Sequence, residues 1–247
     1  MKRYLAQSLA GVLAFGVVAS VHAKLIDRGN GMIYDSDQDL TWLQDANFMM
    51  NSGSANGSGG SYASDGRVDW MVAYSWVTEL TYGGYDDWRM PELDESGIKI
   101  EPHEYGGINN IYIDPYASEL AYMFQINLGN ESMFNPDFSI NPKACIPNTG
   151  CSQNSSADGV EILNLFGSNG YGQNYYYGTV SEILRGRAWF YNTHTNSLGT
   201  VEVGDNPRAR VWAVRDGDVA SVSVPEPSVV LLMISGLAGL GVTRGRL

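Results

Sequence analysis

Apolar residues recur at helical spacing in two parts of the chain. The first part predicts a helix over residues 68–80, ended by the glycine pair Gly83 and Gly84. Side chains three or four positions apart share one side of a helix, so this helix has an apolar face that we expect to lie on the core. The face consists of Trp70, Ala73, Trp76, Val77 and Leu80.

The second part predicts a helix over residues 115–128. Asp114 suits the N-cap, Pro115 the first turn and Gly129 the position just after the end. The apolar residues on its shared face are Leu120, Met123, Phe124 and Leu128.

Short apolar stretches separated by turn residues make up most of the remaining chain, and they are typical of strands. They read GMIYD, LTWL, GVEILNLF, NYYYGT, RAWFYN and RVWAVRD. Two helices with many short strands indicate an α+β fold, and no internal repeat divides residues 24–219. We therefore predict one domain over 24–219 in which the tryptophans Trp42, Trp70, Trp76, Trp88 and Trp212 are largely buried.

The N-terminus has the order of parts of a secretory signal peptide. Lys2 and Arg3 precede an apolar stretch over residues 5–18, and small residues surround a cleavage point after Ala23. Residues 1–23 are thus predicted to be removed on export. The alternative is an uncleaved N-terminal anchor, for which the apolar stretch is short.

The C-terminus carries a second apolar segment, over residues 228–243, followed by Arg244 and Arg246. As a helix it would span about 24 Å, somewhat less than the hydrocarbon core of a bilayer. The arginines would stay on the cytoplasmic side and leave the domain outside. A plain stop-transfer anchor would account for these features.

The four residues Val224, Pro225, Glu226 and Pro227 precede this segment, and the two prolines keep the strip extended. Motif, apolar span and terminal arginines together resemble the PEP-CTERM sorting signal of Gram-negative bacteria. The resemblance covers the last 24 residues, and we predict that 220–247 consist of a linker and this signal. The resemblance implies an exosortase-type processing enzyme as partner, transient membrane insertion, and a final place at the cell surface or outside the cell.

The charge of the chain limits its partners. The formal net charge is −12, and without the two ends, residues 24–227 hold 11 basic and 27 acidic residues, a net charge of −16. Such a surface repels phosphate backbones and anionic lipid, so we predict no nucleic-acid partner. Neutral or cationic glycans and other proteins remain open.

The two cysteines, Cys145 and Cys151, flank the turn sequence IPNTG. An oxidising compartment favours a disulfide between them, which would stabilise the fold by roughly 2–3 kcal/mol. A reactive thiol or redox pair is the alternative, although the spacing is not Cys-x-x-Cys.

Six further stretches occur in the order seen in the Lcl C-terminal domain family of secreted bacterial proteins, which the chain resembles over most of residues 30–218. They are DLTWLQDAN, DGRVDW, LTYGGYDDWRMP, ASELAYMFQINLGN, YYYGT and RVWAVRDGDV. The resemblance implies a C-type lectin-like fold without an assigned activity. One departure is Tyr176, which stands where the family usually has a tryptophan.

Two acidic stretches are candidates for chemistry. Asp35, Asp37 and Asp39 alternate as in a calcium loop, but the glycine and glutamate of an EF-hand are absent, which favours a turn. The second stretch contains Asp86, Asp87 and Arg89 around Trp88. These side chains could form a carboxylate–guanidinium site, but we favour a structural role in which Arg89 pairs with a local acceptor and stabilises a turn.

Catalytic motifs are missing from the sequence. After removal of the signal peptide only the histidines His103 and His194 remain, without a nucleophile or metal motif around them. We predict a non-enzymatic protein without cofactor or metal. The alternative is a secreted polysaccharide-active enzyme that uses a pair of carboxylates.

Aromatic residues are the candidates for ligand binding. Alternate residues of a strand share a face, so Tyr175 and Tyr177 should point away from Tyr176. If Tyr176 lies in the core, Tyr175 and Tyr177 could be exposed, and our hypothesis is that they then stack on polysaccharide without calcium, although packing in the core is the commoner outcome for such rings. Packing of the same rings in the core is the alternative.

Overall fold

The computed structural model describes residues 25–53, 66–101, 111–144, 153–165, 175–180, 186–204 and 209–219. Eleven strands are formed in these ranges. They are β1 (Leu25–Gly29), β2 (Met32–Asp35), β3 (Leu40–Leu43), β4 (Ile98–Ile100), β5 (Ile111–Ile113), β6 (Ser156–Ala157), β7 (Val160–Glu161), β8 (Tyr175–Val180), β9 (Arg187–Asn192), β10 (Ser197–Glu202) and β11 (Val214–Asp216). The α-helices are α1 (Phe48–Asn51), α2 (Trp70–Thr78) and α3 (Glu119–Ala121), which continues as a π-helix, Tyr122–Asn127.

The largest sheet joins the two ends of the described chain. Its four antiparallel strands have the order β1-β2-β3-β11, so the first and the last strand belong to one sheet. Strands β1 and β11 are the two edges of this sheet. Arg28 of β1 donates two hydrogen bonds to the carboxylate of Asp218, which follows β11.

A two-residue turn connects β1 and β2, where Gly29 lies opposite Met32. Asn30 and Gly31 both have positive φ, 51° and 72°, which is the backbone of a type I′ hairpin. A side chain at Gly31 would also meet the hydroxyl of Tyr82, 2.6 Å from its Cβ position. This hydroxyl donates to the carbonyl of Asn30 and holds the turn.

The second sheet is an antiparallel meander of β8, β9 and β10. The chain just before β11 links it to the first sheet. Arg210 donates its backbone N–H to the carbonyl of Tyr175, and its own carbonyl accepts from Tyr177. Three residues later, the carbonyl of Ala213 accepts from the backbone of Leu43. The segment 209–213 thus lies between the sheets and is completely buried.

The first predicted helix is confirmed as α2, with bounds inside the predicted ones. Asp69 caps it by accepting from the backbone N–H of Met71 at 2.8 Å. Trp70, Ala73 and Val77 of the predicted face are buried.

The second predicted helix is interrupted, which the sequence pattern did not predict. A single 3-10 turn, Pro115–Ala117, follows the predicted cap Asp114, and Ser118 then adopts extended backbone at φ −145° and ψ 124°. The hydroxyl of Ser118 accepts from Ala121 and starts α3. The apolar face Leu120, Met123, Phe124 and Leu128 is buried as predicted.

Trp212 is the centre of the core. Its Nε1 donates to the carbonyl of Leu43 at 2.6 Å. Its ring packs against the rings of Trp42, Tyr176 and Phe124, with centroids 4.7, 5.7 and 6.2 Å away. Aromatic pairs at these distances stabilise beyond their buried area.

The tryptophan prediction is confirmed for four of its five residues. Trp42, Trp70, Trp88 and Trp212 are buried, whereas Trp76 is partly buried at the edge of the core. Together with the mixed helices and antiparallel sheets, this arrangement confirms the α+β class. The strands β1, β4, β5, β6 and β10 were not predicted from the sequence.

Several sequence predictions concern residues outside the described ranges. They are the signal peptide, the pair Cys145 and Cys151, His103, and the sorting signal with Val224, Pro225, Glu226, Pro227, Arg244 and Arg246. Among the residues that the structure describes, no helix is both long and apolar enough to cross a membrane.

Candidate functional site

The tyrosines of β8 do not form the exposed pair that the sequence predicted. Tyr176 is buried as expected, but Tyr177 is only 1% exposed, and its hydroxyl donates to the carbonyl of Val68 at 2.9 Å. Tyr175 is half-buried, and its ring meets the ring of Phe190 edge-on at 5.0 Å. The expected exposure of Tyr177 is therefore wrong.

The physical reason is that both faces of β8 are covered. Tyr176 points at Trp212 and the π-helix, whereas Tyr177 points at the chain entering α2. On that second side Trp70 also donates its Nε1 to the carbonyl of Gly178 at 3.1 Å. Alternation along a strand separates two faces, but it does not say which of them meets solvent.

The alternating aspartates lie in a hairpin turn, and each carboxylate has a different partner. Asp35 is fully buried and accepts from the backbone of Asp37 and Gln38 and from the amide of Asn127. Asp37 and Asp39 accept from the hydroxyls of Tyr122 and Tyr34, respectively. No three His, Cys, Asp or Glu side chains within the described ranges are grouped to hold a metal ion.

Arg89 is the node of an ion-pair network. Its guanidinium donates to both carboxylate oxygens of Glu119 at 2.8 Å, to Asp216 and to the carbonyl of Met90. Burial lowers the pKa of Arg89, but the hydrogen bonds and charges of Glu119 and Asp216 outweigh it and raise that pKa. Its backbone also pairs with Val214 in both directions.

A second pair next to this network joins Asp87 and Arg215 at 2.7 and 2.8 Å. The hydrogen bonds from Arg215 lower the pKa of Asp87, and the guanidinium lies 4.1 Å from the ring centroid of Tyr85. Asp86 is exposed. These contacts agree with the structural role favoured for the stretch from Asp86 to Arg89.

An open groove of about 280 Å³ lies beside this network. Residues 92–94 and 116–119 line it, together with Gln38 from the β2–β3 turn. The two segments are held together by backbone hydrogen bonds from Asp94 to Ala117 and from Glu119 to Glu92. This volume is slightly below the roughly 300–1,000 Å³ that is usual for small-molecule sites.

Tyr116 presents an aromatic ring at the groove. It is 74% exposed, the highest value among the exposed large apolar side chains of the described residues. Asp114 accepts from its backbone N–H at 3.0 Å, and its ring meets the ring of Tyr122 edge-on at 5.6 Å. The hydroxyl of Tyr122 donates to Asp37, and burial, followed by this contact, raises the pKa of Tyr122 to about 12. The side chain of Tyr116 is thus exposed, while the hydrogen bond of its backbone and the contact with Tyr122 fix its orientation.

Three of the residues that line the groove carry carboxylates. Glu92 and Asp94 are exposed, and hydrogen bonds from Ser96 lower the pKa of Asp94. Glu119 differs from them, because both of its carboxylate oxygens accept from Arg89 and one also accepts from the backbone of Glu92. The amide oxygen Oε1 of Gln38 is buried and has no hydrogen-bond partner among the residues that the structure describes.

Sequence reasoning missed Tyr116 because a continuous helix over 115–128 would have turned it inward. Leu120 and Met123 follow at the fourth and seventh positions after Tyr116 and would share its face. The break at Ser118 removes this relationship. The triplet Asp114-Pro115-Tyr116 was the available signal, since Asp and Pro also favour turns.

Comparison of the chain with models of protein families, with curated proteins and with solved structures gave no match.

Proposed function

We propose that this chain is an exported, non-enzymatic polysaccharide-binding protein of the cell surface or extracellular matrix of a Gram-negative bacterium. The observation that carries the proposal is the ring of Tyr116, which is 74% exposed beside a polar groove. Tyr116 takes the binding role that the sequence had assigned to the tyrosines of β8.

An exposed, oriented ring next to hydrogen-bonding side chains suits a sugar. A sugar ring has an apolar face of C–H groups, which packs on an aromatic face, and hydroxyls around its rim. Glu92 and Asp94 supply exposed acceptors for such hydroxyls along the groove. An open groove, unlike a closed cavity, also lets a long polymer pass through.

Export and sorting are proposed from the two ends of the chain. The signal peptide over 1–23 sends the protein across the inner membrane, and the segment 228–243 holds it there briefly. An exosortase-type enzyme then recognises the strip from Val224 to Pro227 and removes the tail. The domain, proposed to be lectin-like and of the Lcl C-terminal type, is released towards the matrix polysaccharide.

Retention on a polysaccharide column tests the proposal. The wild-type protein, purified from its host, is passed over immobilised exopolysaccharide from the same organism, with and without a chelator. We expect the wild-type protein to be retained without calcium. Tyr116→Ala should bind about tenfold more weakly, because it loses roughly 1.4 kcal/mol of stacking between the ring and the sugar.

Tyr74→Ala is the matched control, because Tyr74 is 48% exposed on α2 and does not line the groove. Equal retention of wild type and Tyr116→Ala would contradict the assignment of the groove. Shortened polysaccharide in the flow-through would instead favour an enzyme.

A further inference from the structure

We infer that the groove selects a cationic glycan, that is, a polymer whose amino sugars carry free ammonium groups. This inference rests on the proposed function and narrows its ligand class. Two features of the groove support it: its free charges have one sign, and its aromatic ring is open to solvent.

The free charges are those of Glu92 and Asp94. Neither carboxylate forms an ion pair with any of the described residues, and the lowered pKa of Asp94 keeps that group ionised. The cation next to the groove, Arg89, makes five hydrogen bonds to Glu119, Asp216 and Met90. Its donors are therefore used, and its charge is balanced by two carboxylates. The local field is negative, as is the field of the whole exported chain.

The two exposed carboxylates of the groove favour a ligand that brings donors. Ionised carboxylates such as those of Glu92 and Asp94 only accept hydrogen bonds, and one oxygen of Asp94 already accepts from the backbone of Ser96. An ammonium group brings three donors and a positive charge, whereas an N-acetyl group brings one donor and no charge. A uronic acid would bring a second carboxylate to the same place and be repelled.

The ring of Tyr116 adds to this preference. The face of an aromatic ring is electron-rich and attracts a cation within about 6 Å of its centroid. A sugar that packs on Tyr116 would hold its amino group near the carboxylates that line the same groove. Packing on the ring of Tyr116 and attraction to the carboxylates thus both favour a sugar with a free ammonium group.

The test compares two soluble oligomers, a chitosan hexamer with free amino groups and a chitin hexamer in which every amino group is acetylated. Affinities of the full chain in a mild detergent are measured by titration calorimetry at low salt. Each additional ion pair at an exposed site contributes up to roughly 1 kcal/mol, so we expect the chitosan hexamer to bind about tenfold more tightly.

Two double variants of equal charge separate the site from the acidic surface as a whole. Glu92→Gln with Asp94→Asn should reduce the preference to about twofold or less, because it removes the free charges of the groove. Glu79→Gln with Glu161→Gln removes the same charge from exposed residues outside the groove and should keep the preference. Near-ultraviolet circular dichroism confirms that each variant is folded.

The outcomes distinguish this inference from the proposed function. Equal affinity for both hexamers, lowered by Tyr116→Ala, would overturn the cationic preference and keep the glycan site. An equal loss of preference in both double variants would overturn the placement in the groove. Binding of neither hexamer, together with no retention on the host polysaccharide, would overturn both proposals.

Discussion

Arg89 and Glu119 form a bidentate ion pair in which both hydrogen bonds are 2.8 Å long. The same guanidinium binds Asp216, so one side chain joins the loop after Trp88, the start of α3 and the last strand. Glu119 also accepts from the backbone of Glu92 and so positions one segment of the groove. The pair is mostly buried, with 24% and 15% of the side chains exposed.

Replacement of Arg89 by lysine should destabilise the fold. A lysine has one ammonium group and cannot span both oxygens of Glu119 while it binds Asp216. We expect Arg89→Lys to lower the free energy of unfolding by about 2 kcal/mol, measured by urea denaturation. Arg187→Lys is the control, because Arg187 and Glu202 are 33% and 67% exposed. Its loss should stay below about 1 kcal/mol, and equal losses would contradict the role of Arg89.

Tyr177 should contribute to stability and not to binding. Tyr177→Phe removes the buried hydrogen bond to the carbonyl of Val68, so we expect a loss of about 1–2 kcal/mol in the free energy of unfolding. Tyr175→Phe, at a half-buried position, should change it by less than about 0.5 kcal/mol. Retention on polysaccharide should be unchanged in both variants. Weaker retention of Tyr177→Phe at full stability would refute this assignment.

Asp35 should make stability depend on pH. Burial raises the pKa of this carboxyl, and the hydrogen bonds from Asn127 and the turn only partly offset the rise. Between the unfolded value of about 4 and the raised folded value, the folded state binds more protons. The stabilisation from this group is therefore complete below about pH 4 and is lost as the pH rises through the folded pKa.

Asp35→Asn removes this titration. The oxygen of the new amide can still accept from the turn, and its NH2 group replaces the carboxylate oxygen that accepts from Asn127. The Asn127 amide must therefore rotate by about 180° to present its Oδ1, which has no hydrogen-bond partner among the described residues. The free energy of unfolding of both proteins is measured by urea denaturation at each pH. As the pH rises from about 4 to 7, we expect the value for the variant to increase relative to that of wild type. A difference between the two proteins that is independent of pH would rule out the titration of Asp35.

Both ends of the chain should be absent from the mature protein. Mass spectrometry of protein from the native envelope should find a chain that begins at Lys24 and lacks the apolar residues 228–243. Replacement of Pro225, Glu226 and Pro227 by alanine should keep that tail, because the strip can then join a helix. A wild-type mass that includes residues up to Leu247 would make the tail a lasting anchor.

Cys145 and Cys151 should be joined in the exported protein. They are the two cysteines of the chain, so alkylation of the denatured protein should add nothing before reduction and two groups after it. Reduction should lower the free energy of unfolding by roughly 2–3 kcal/mol, as expected for a short closed loop. Two alkyl groups added without reductant would show that both thiols are free.

Helix α2 shows what could be predicted locally. Its cap, its apolar face and its end depend on residues within a few positions of each other, and a short-range pattern contains all of them. The Asn30-Gly31 turn is also a local feature. A two-residue hairpin of this type needs positive φ at both positions, and Asn and Gly are the residues that adopt it most readily. Strand β10 was not predicted, because its sequence SLGTVE shows little alternation of apolar and polar residues. Its pairing with β9 stabilises it as a strand.

The sequence by itself determined the α+β class, helix α2, the apolar face from Leu120 to Leu128 and most of the buried tryptophans, since these follow from local periodicity and side-chain size. Only the tertiary structure decided which tyrosine meets solvent. Tyr177 is buried because α2 covers the second face of β8, and Tyr116 is exposed because the backbone breaks at Ser118. The burial of Tyr177 depends on contacts between segments far apart in the chain, which no pattern within one segment contains. The break that exposes Tyr116 is close to it in sequence, but the residue at the break, Ser118, forms a β-bridge with the distant Leu93.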